Sequence, residues 1–279
     1  MNSVGLKKIE TSTLHNCPMT SSPSNKKLLP WSIEAMRPYM TYEVLQEAVC
    51  VLRRYEGYST DLSRQDSNRL LRDLRRRTNL PWLAERQVAY GVNYNIEGSI
   101  FRRMKRIFTS FHLIDAYAYR NDSTITVTDF GRRLSAGLID KHSFYAELIL
   151  IYQYPHPAYS DNTMQWNSLT PFKPMLFIAE TLKHLESPPS PSYRGVRTKE
   201  FATLVYPKVP GISAEDAASI LKNQYQNPKD LHHSRLDAVD RKISDLFGFL
   251  VMIELLEKRE HTFTRFNSKS QVASCLGLI

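Results

Sequence analysis

Apolar residues recur along this chain at helical spacing in its first third. In "TYEVLQEAVCVLRRYEGY" (41–58) they fall at Val44, Leu45, Ala48, Val49, Val51 and Leu52, one stripe of a helix, and Gly57 supplies a stop. In "SRQDSNRLLRDLRRRTNL" (63–80), Leu70, Leu71 and Leu74 share a side, with Arg69, Arg72, Arg75, Arg76 and Arg77 around them. This spacing predicts a basic amphipathic helix closed by Pro81. "PWLAERQVAYGV" (81–92) reads as a short helix or a turn. "NIEGSIFRRMKRIFTSFHLI" (95–114) places Ile100, Phe101, Met104, Ile107, Phe108 and Phe111 on one buried stripe, and Arg102, Arg103, Lys105 and Arg106 off it. The pattern then changes period. "DAYAYR" (115–120), an "NDS" turn and "TITVT" (124–128) alternate as a hairpin does. "DFGRRLSAGLI" follows as a short helix.

Helix, helix, basic helix, hairpin is the order of a winged helix-turn-helix. In that geometry the helix before the hairpin enters the major groove of DNA. The hairpin tip, near Arg120 and Asn121, would touch the flanking backbone. A solvated helix face, or a face that binds protein, would carry the same charges. The second half repeats the order more faintly. "TPFKPMLFIAETLKHLE" (170–186) has a strong apolar stripe. A Pro/Ser-rich loop leads to "TKEFATLVYP", with Thr198 as the expected N-cap and Glu200 in the first turn. "SAEDAASILKNQYQN" (213–227) opens on Ser213 with Asp216 three residues on, a capping-box pattern. "HHSRLDAVDRKISDLFGFL" (232–250) is helical, with Arg235, Arg241 and Lys242 exposed. "LVMIELLEKREHTFTRF" (250–266) reads as strand, charged turn, strand. The expected fold class is therefore mainly α with small β-hairpin wings, as two tandem winged-helix-like domains. The expected division is a flexible tail over 1–30, a first domain over 31–165 and a second over 166–279.

Composition bounds this picture. The chain has 279 residues, 42% of them apolar, enough for one large or two smaller cores. Its net charge of +9 favours polyanionic partners. The excess is local: residues 53–106 hold 13 Lys and Arg against 6 Asp and Glu. Cys17, Cys50 and Cys275 are odd in number and widely spaced, forming neither a CxxC pair nor a disulfide framework, which fits a reducing cytoplasm. No apolar run approaches the roughly 20 residues of a membrane helix. "DLFGFLVMIELLE" (245–257) is short, flanked by charge, and reads as core. The polar start of the chain lacks a hydrophobic signal core.

The ordered set "F-x-R-x-x-R", "F-H-L-I-D-A", "I-T-V-T-D-F-G-R-R-L" and "F-Y-A-E-L-I-L-I-Y-Q-Y-P-H-P" resembles the N-terminal recognition region of AlwI-type restriction endonucleases, a group similar to other type IIS and nicking enzymes. Ile125–Gly131 stands for that family's wing. Gln153, Pro155 and Pro157 match its next segment, Pro171 and Phe172 its aromatic helix, and Lys199–Phe201 the helix after. The likeness spans roughly residues 31–270. It implies duplex DNA as the partner and a type II site-specific deoxyribonuclease as the parent activity. It assigns DNA contact to Arg102, Arg103, Lys105 and Arg106, and to Arg132 and Arg133 after the wing; the winged-helix order adds Arg120 at the hairpin tip. Arg75, Arg76 and Arg235 join them as basic positions on neighbouring predicted helices. Arginine can read guanine with two hydrogen bonds; others of this set would grip phosphates only.

Family members carry a nuclease domain after this region, built on acids and a lysine around Mg²⁺. No such constellation is legible here. Glu215, Asp216 and Lys222 lie on a helical pattern at the wrong spacing; Asp230, His232 and His233 have no strand beside them; Asp237, Asp240 and Lys242 fit helical periodicity. Two carboxylates must converge on one metal, which a solvated helix face seldom arranges. His156, between two prolines, and Trp31, Trp82 and Trp166, near predicted element ends, read as packing residues. There is no P-loop, no G-x-G-x-x-G and no nucleophile elbow. The expectation is a chain without catalytic residues, metal or cofactor of its own, needing Mg²⁺ only with a nuclease domain or a separate nuclease subunit. The competing readings are a winged-helix transcription regulator and a basic protein-interaction module.

Overall fold

The computed structural model describes residues 39–59, 64–80, 107–115, 124–154, 172–187, 193–209, 211–226, 237–260 and 263–279. Helix α1 (Tyr42–Leu52) buries Leu45, Ala48, Val49, Val51 and Leu52 and tightens into a 3-10 turn, Arg53–Tyr55. Gly57, at φ +81°, ends it. The next residues are extended and join a ladder. The Gly57 N–H donates to Ile125 O (2.8 Å), the Ile125 N–H to Tyr58 O (2.9 Å), and Ser59 bridges Thr124. Helix α2 (Arg64–Thr78) lays Leu70, Leu71 and Leu74 against α1. Asn79, at φ +55°, stops it, its N–H on Arg75 O at 2.9 Å. The left-handed residue after the last turn is thus an asparagine, whose short polar side chain tolerates that conformation; the expected stop, Pro81, lies outside the described residues.

Residues 107–110 are helical and close at His112, φ +55°, with the Leu113 N–H on Phe108 O (2.8 Å). Ile114 then bridges Val127, and the Asp115 N–H donates to Thr126 O at 2.8 Å. Three short extended segments (57–59, 124–127, 113–115) therefore lie antiparallel in that order, with 124–127 in the middle. Helix α3 (Asp129–Ser135) starts at Thr128, whose hydroxyl accepts from the Gly131 N–H at 3.0 Å and donates to His112 O. Helix α4 (Lys141–Ile151) starts at Asp140, whose carboxylate accepts from the N–H groups of His142 and Ser143. It buries Phe144, Tyr145, Ala146, Leu148 and Ile149, and Phe144 stacks on Phe130 at 5.1 Å between centroids.

The second half follows the same order. After α5 (Pro174–Leu185), with proline at its first position, comes an extended stretch in which Val196 pairs antiparallel with Thr264. A helical segment runs through Thr198–Glu200, a π turn over Phe201–Val205 and a 3-10 turn over Tyr206–Lys208. Its N-cap is Arg197, one residue before the expected Thr198, and Glu200 Oε2 accepts the Arg197 N–H at 3.0 Å. Helix α6 (Ala214–Gln226) opens on the expected reciprocal cap: Asp216 N–H to Ser213 Oγ at 3.0 Å and Ser213 N–H to Asp216 Oδ2 at 3.1 Å. Then come α7 (Asp237–Met252), β1 (Leu256–Arg259), β2 (Phe263–Phe266) and α8 (Gln271–Cys275). β1 and β2 pair antiparallel with Leu256 opposite Phe266. Again the last strand sits between its hairpin partner and an earlier extended segment.

The described chain is mainly helical, with one small two-stranded antiparallel sheet. Its buried side chains form one continuous core. Phe249 of α7 meets Phe111 at 5.5 Å and Tyr145 at 6.1 Å, so the two halves meet in apolar packing. The tail over 1–30 and the expected junction at 165/166 lie outside the described residues. No helix among those described is long and apolar enough to cross a membrane.

Candidate nucleic-acid interface

Helix α2 carries the densest cationic surface among the described residues. Its leucines fix one side on α1. Two polar ties fix an adjacent side. The Tyr55 hydroxyl donates to Asp73 Oδ2 at 3.2 Å, and Arg77 Nη1 faces Glu47 Oε2 at 3.5 Å. Burial, and then the Asp73 carboxylate, push the Tyr55 phenol up to about 12, so it keeps its proton at neutral pH. With two sides taken, Arg69, Arg72, Arg75 and Arg76 are left exposed. Arg72, Arg75 and Arg76 make no ion pair with another described residue. Arg75 and Arg76 thus lie exposed on this helix, with Arg69 and Arg72, visible in the sequence only as members of the basic run, beside them.

Arg132 and Arg133 have other partners. Arg132 pairs with Glu56, which also accepts the Val127 N–H at 3.3 Å. Arg133 pairs with Glu147 of α4, lies 3.4 Å from Asp129, and sits 5.6 Å over the Phe130 ring. These contacts tie the end of α1, the 124–127 segment, α3 and α4 together. Sequence shows the two arginines as a charge pair; it does not show acids 76 residues before one and 14 after the other. Arg102, Arg103, Lys105, Arg106, Arg120 and Arg235 lie outside the described residues.

Three arginines of the second half are held against acids. Arg265 donates from Nε and Nη2 to Glu186 (3.1 and 2.8 Å) and faces Glu257 at 3.5 Å. Arg259 pairs with Glu257 (2.9 Å) and Arg194 with Glu260 (3.6 Å), while Arg197 lies 4.8 Å over the Phe263 ring. Burial raises the Glu186 carboxyl despite the opposing pull of Arg265. Of the acids weighed above as a metal set, Asp216 is occupied as a helix cap, and Lys222 Nζ donates to Ser187 O at 3.0 Å. Among the described residues no three His, Cys, Asp or Glu converge to hold a metal ion.

The chain matches no protein-family model, and no curated protein is similar to it in sequence. In fold it is similar to a solved structure, the binding domain of the endonuclease BpuJ1 in complex with pyrene- and phenanthrene-modified DNA. The TM-score is 0.55 at 9% identity, over 84% of this chain and 80% of that one. The likeness is one of fold.

Proposed function

We propose that this chain is a duplex-DNA recognition module of the kind that serves a type II, and more narrowly a type IIS, restriction endonuclease. The observation that carries the reading is the fold likeness to an endonuclease binding domain across 84% of the chain. The cationic face of α2 and the AlwI-type order of motifs support it. Each half is read as a winged-helix-like unit, because a helix, an extended segment, further helices and a hairpin recur in order, and the last strand pairs on both sides each time.

In this reading Arg102, Arg103, Lys105 and Arg106, immediately before the helical turn at 107–110, read bases. Arg120 grips phosphate from the hairpin tip, and Arg235 does so from the second half. Arg75 and Arg76 are backbone contacts. Arg132 and Arg133, already paired, are positioning residues that fix α3 against Glu56 and Glu147. Cleavage, with its Mg²⁺, falls to a nuclease domain or a partner subunit, in the cytoplasm.

Selection of bound duplexes from a random pool, at about 150 mM salt where non-specific contacts are weakened, tests the proposal. A short asymmetric consensus is expected. A palindromic consensus would favour a dimeric transcription regulator, and no enrichment would overturn DNA recognition.

A further inference from the structure

Helix α2 divides its surface by row. Residues three and four apart on a helix are neighbours, so Asp66, Leu70, Asp73 and Arg77 form one row and Gln65, Arg69, Arg72 and Arg76 another. The first row faces α1 through Leu70 and the ties to Tyr55 and Glu47. It contains both acids of the helix. The second row is exposed throughout and contains none.

A helix face that is merely solvated interleaves opposite charges at i, i+4, each pair adding a few tenths of a kcal/mol, whereas like charges at that spacing subtract a similar amount. The outer row does both: Asp66 and Asp73 stand three and four residues from Arg69, and Asp73 three from Arg76, but Arg72 has only Asn68, Arg69, Arg75 and Arg76 at that spacing, and Asp73 is already engaged by the Tyr55 hydroxyl. The guanidiniums of Arg69, Arg72 and Arg76 therefore repel one another with partial relief at the ends of the row and none at Arg72. Such a surface weakens the free helix slightly and is relieved by a string of anions. The cations are also of one kind: every basic residue from 53 to 103 is arginine. The planar guanidinium matches phosphate with two parallel hydrogen bonds, which lysine cannot do. At 1.5 Å of rise per residue, Arg69 to Arg76 covers about 10 Å of helix axis, enough to meet successive phosphates of one strand.

We propose that the Arg69–Arg72–Arg76 row of α2 grips the sugar–phosphate backbone of duplex DNA and reads no bases, with Tyr55–Asp73 and Glu47–Arg77 as the ties that aim it. The proposal rests on the DNA-recognition reading and sorts the roles within it. Positioning of this sort supplies affinity and salt dependence and leaves sequence discrimination to other residues.

The test is the salt dependence of duplex binding by the full chain carrying Arg72→Gln and Arg76→Gln together. Glutamine matches arginine in helix propensity. Each phosphate contact contributes about 0.9 to the slope of log K against log salt, so the double variant is expected to lose about 1.8 from the slope and roughly 30-fold in affinity at 150 mM. The loss should be equal for the selected duplex and for an unrelated one, and the melting temperature of the free protein should hold or rise. An unchanged slope, a loss confined to one sequence, or a lowered melting temperature would overturn the proposal while leaving DNA recognition in place. A wild-type chain that binds no duplex would instead remove the reading on which it rests.

Discussion

Gly131 has no room for a side chain. A Cβ there would press into the Leu113 carbonyl oxygen and lie 3.0 Å from Val127 Cγ1, because the backbone of α3 at Gly131 packs directly on that of Leu113. Gly131→Ala is expected to cost about 1–3 kcal/mol through overpacking, read as a lower urea midpoint at unchanged m-value. Asp140 tests a different contribution. Its carboxylate caps α4, and the hydrogen bonds from Ser143 and His142 hold its pKa below the ordinary 3.8. The folded pKa is depressed, so the stabilisation is complete above the ordinary value and is lost as pH falls through the folded one. Asp140→Ala should cost about 1 kcal/mol at neutral pH. Asp140→Asn should keep the cap and flatten the decline in acid, as melting temperatures from pH 7 to 3 would show. At this scale the sequence displays charge and leaves partners hidden. Arg132 and Arg133 stand in the sequence as a basic pair without visible acids, and only folding brings Glu56 and Glu147 to them.

Elements with a regular period were legible, and elements without one were not. The stripes of α1, α2, α5 and α7 follow the periods of their sequences, whereas of the stretch 250–266 expected as strand, turn and strand only 256–259 and 263–266 pair, residues 250–252 being the apolar end of α7. Helix α4 is apolar nearly all round, so no stripe announces it. The extended residues 57–59 contain a glycine and no alternation, and only the bonds of Gly57 and Tyr58 with Ile125 make them part of a ladder. A faint internal echo is also clear in hindsight. "S-A-G-L-I" (135–139) and "C-L-G-L-I" (275–279) each close a short helix with a left-handed glycine, at φ +67° and +68°. The next N–H reaches back at 2.9 Å in both, Leu138 to Arg133 O and Leu278 to Ala273 O. The hairpin of the second half offers its own test. Arg265 on β2 holds Glu186 after α5 and Glu257 on β1, so Arg265→Ala leaves a half-buried carboxylate without its donor. A loss of about 1–3 kcal/mol is expected, smaller at pH 5 than at pH 8, because protonation relieves the Glu186 carboxyl that burial has raised. A loss independent of pH would show that Glu186 does not feel the change.

Across the whole molecule, Phe249 joins what the sequence presents as two units. Its ring is buried between Phe111 and Tyr145 of the first half while its helix belongs to the second. Phe249→Ala should cost about 3–5 kcal/mol, and calorimetry should show both halves melting together in one lowered transition. Two separate transitions, one of them unshifted, would show that the halves do not depend on this contact. The charge of the molecule has the same long-range character. A chain of +9 with its excess gathered between 53 and 106 attracts polyanions from any direction, yet that attraction alone cannot distinguish one sequence from another.

The central claim is recognition of a particular duplex, and the direct measurement is competition at about 150 mM salt between the best selected duplex and a scrambled duplex of equal length and composition. The account predicts a preference of at least about 10³-fold for the selected sequence. A ratio near one would contradict it, and the basic face would then be a general polyanion surface and no reader of DNA.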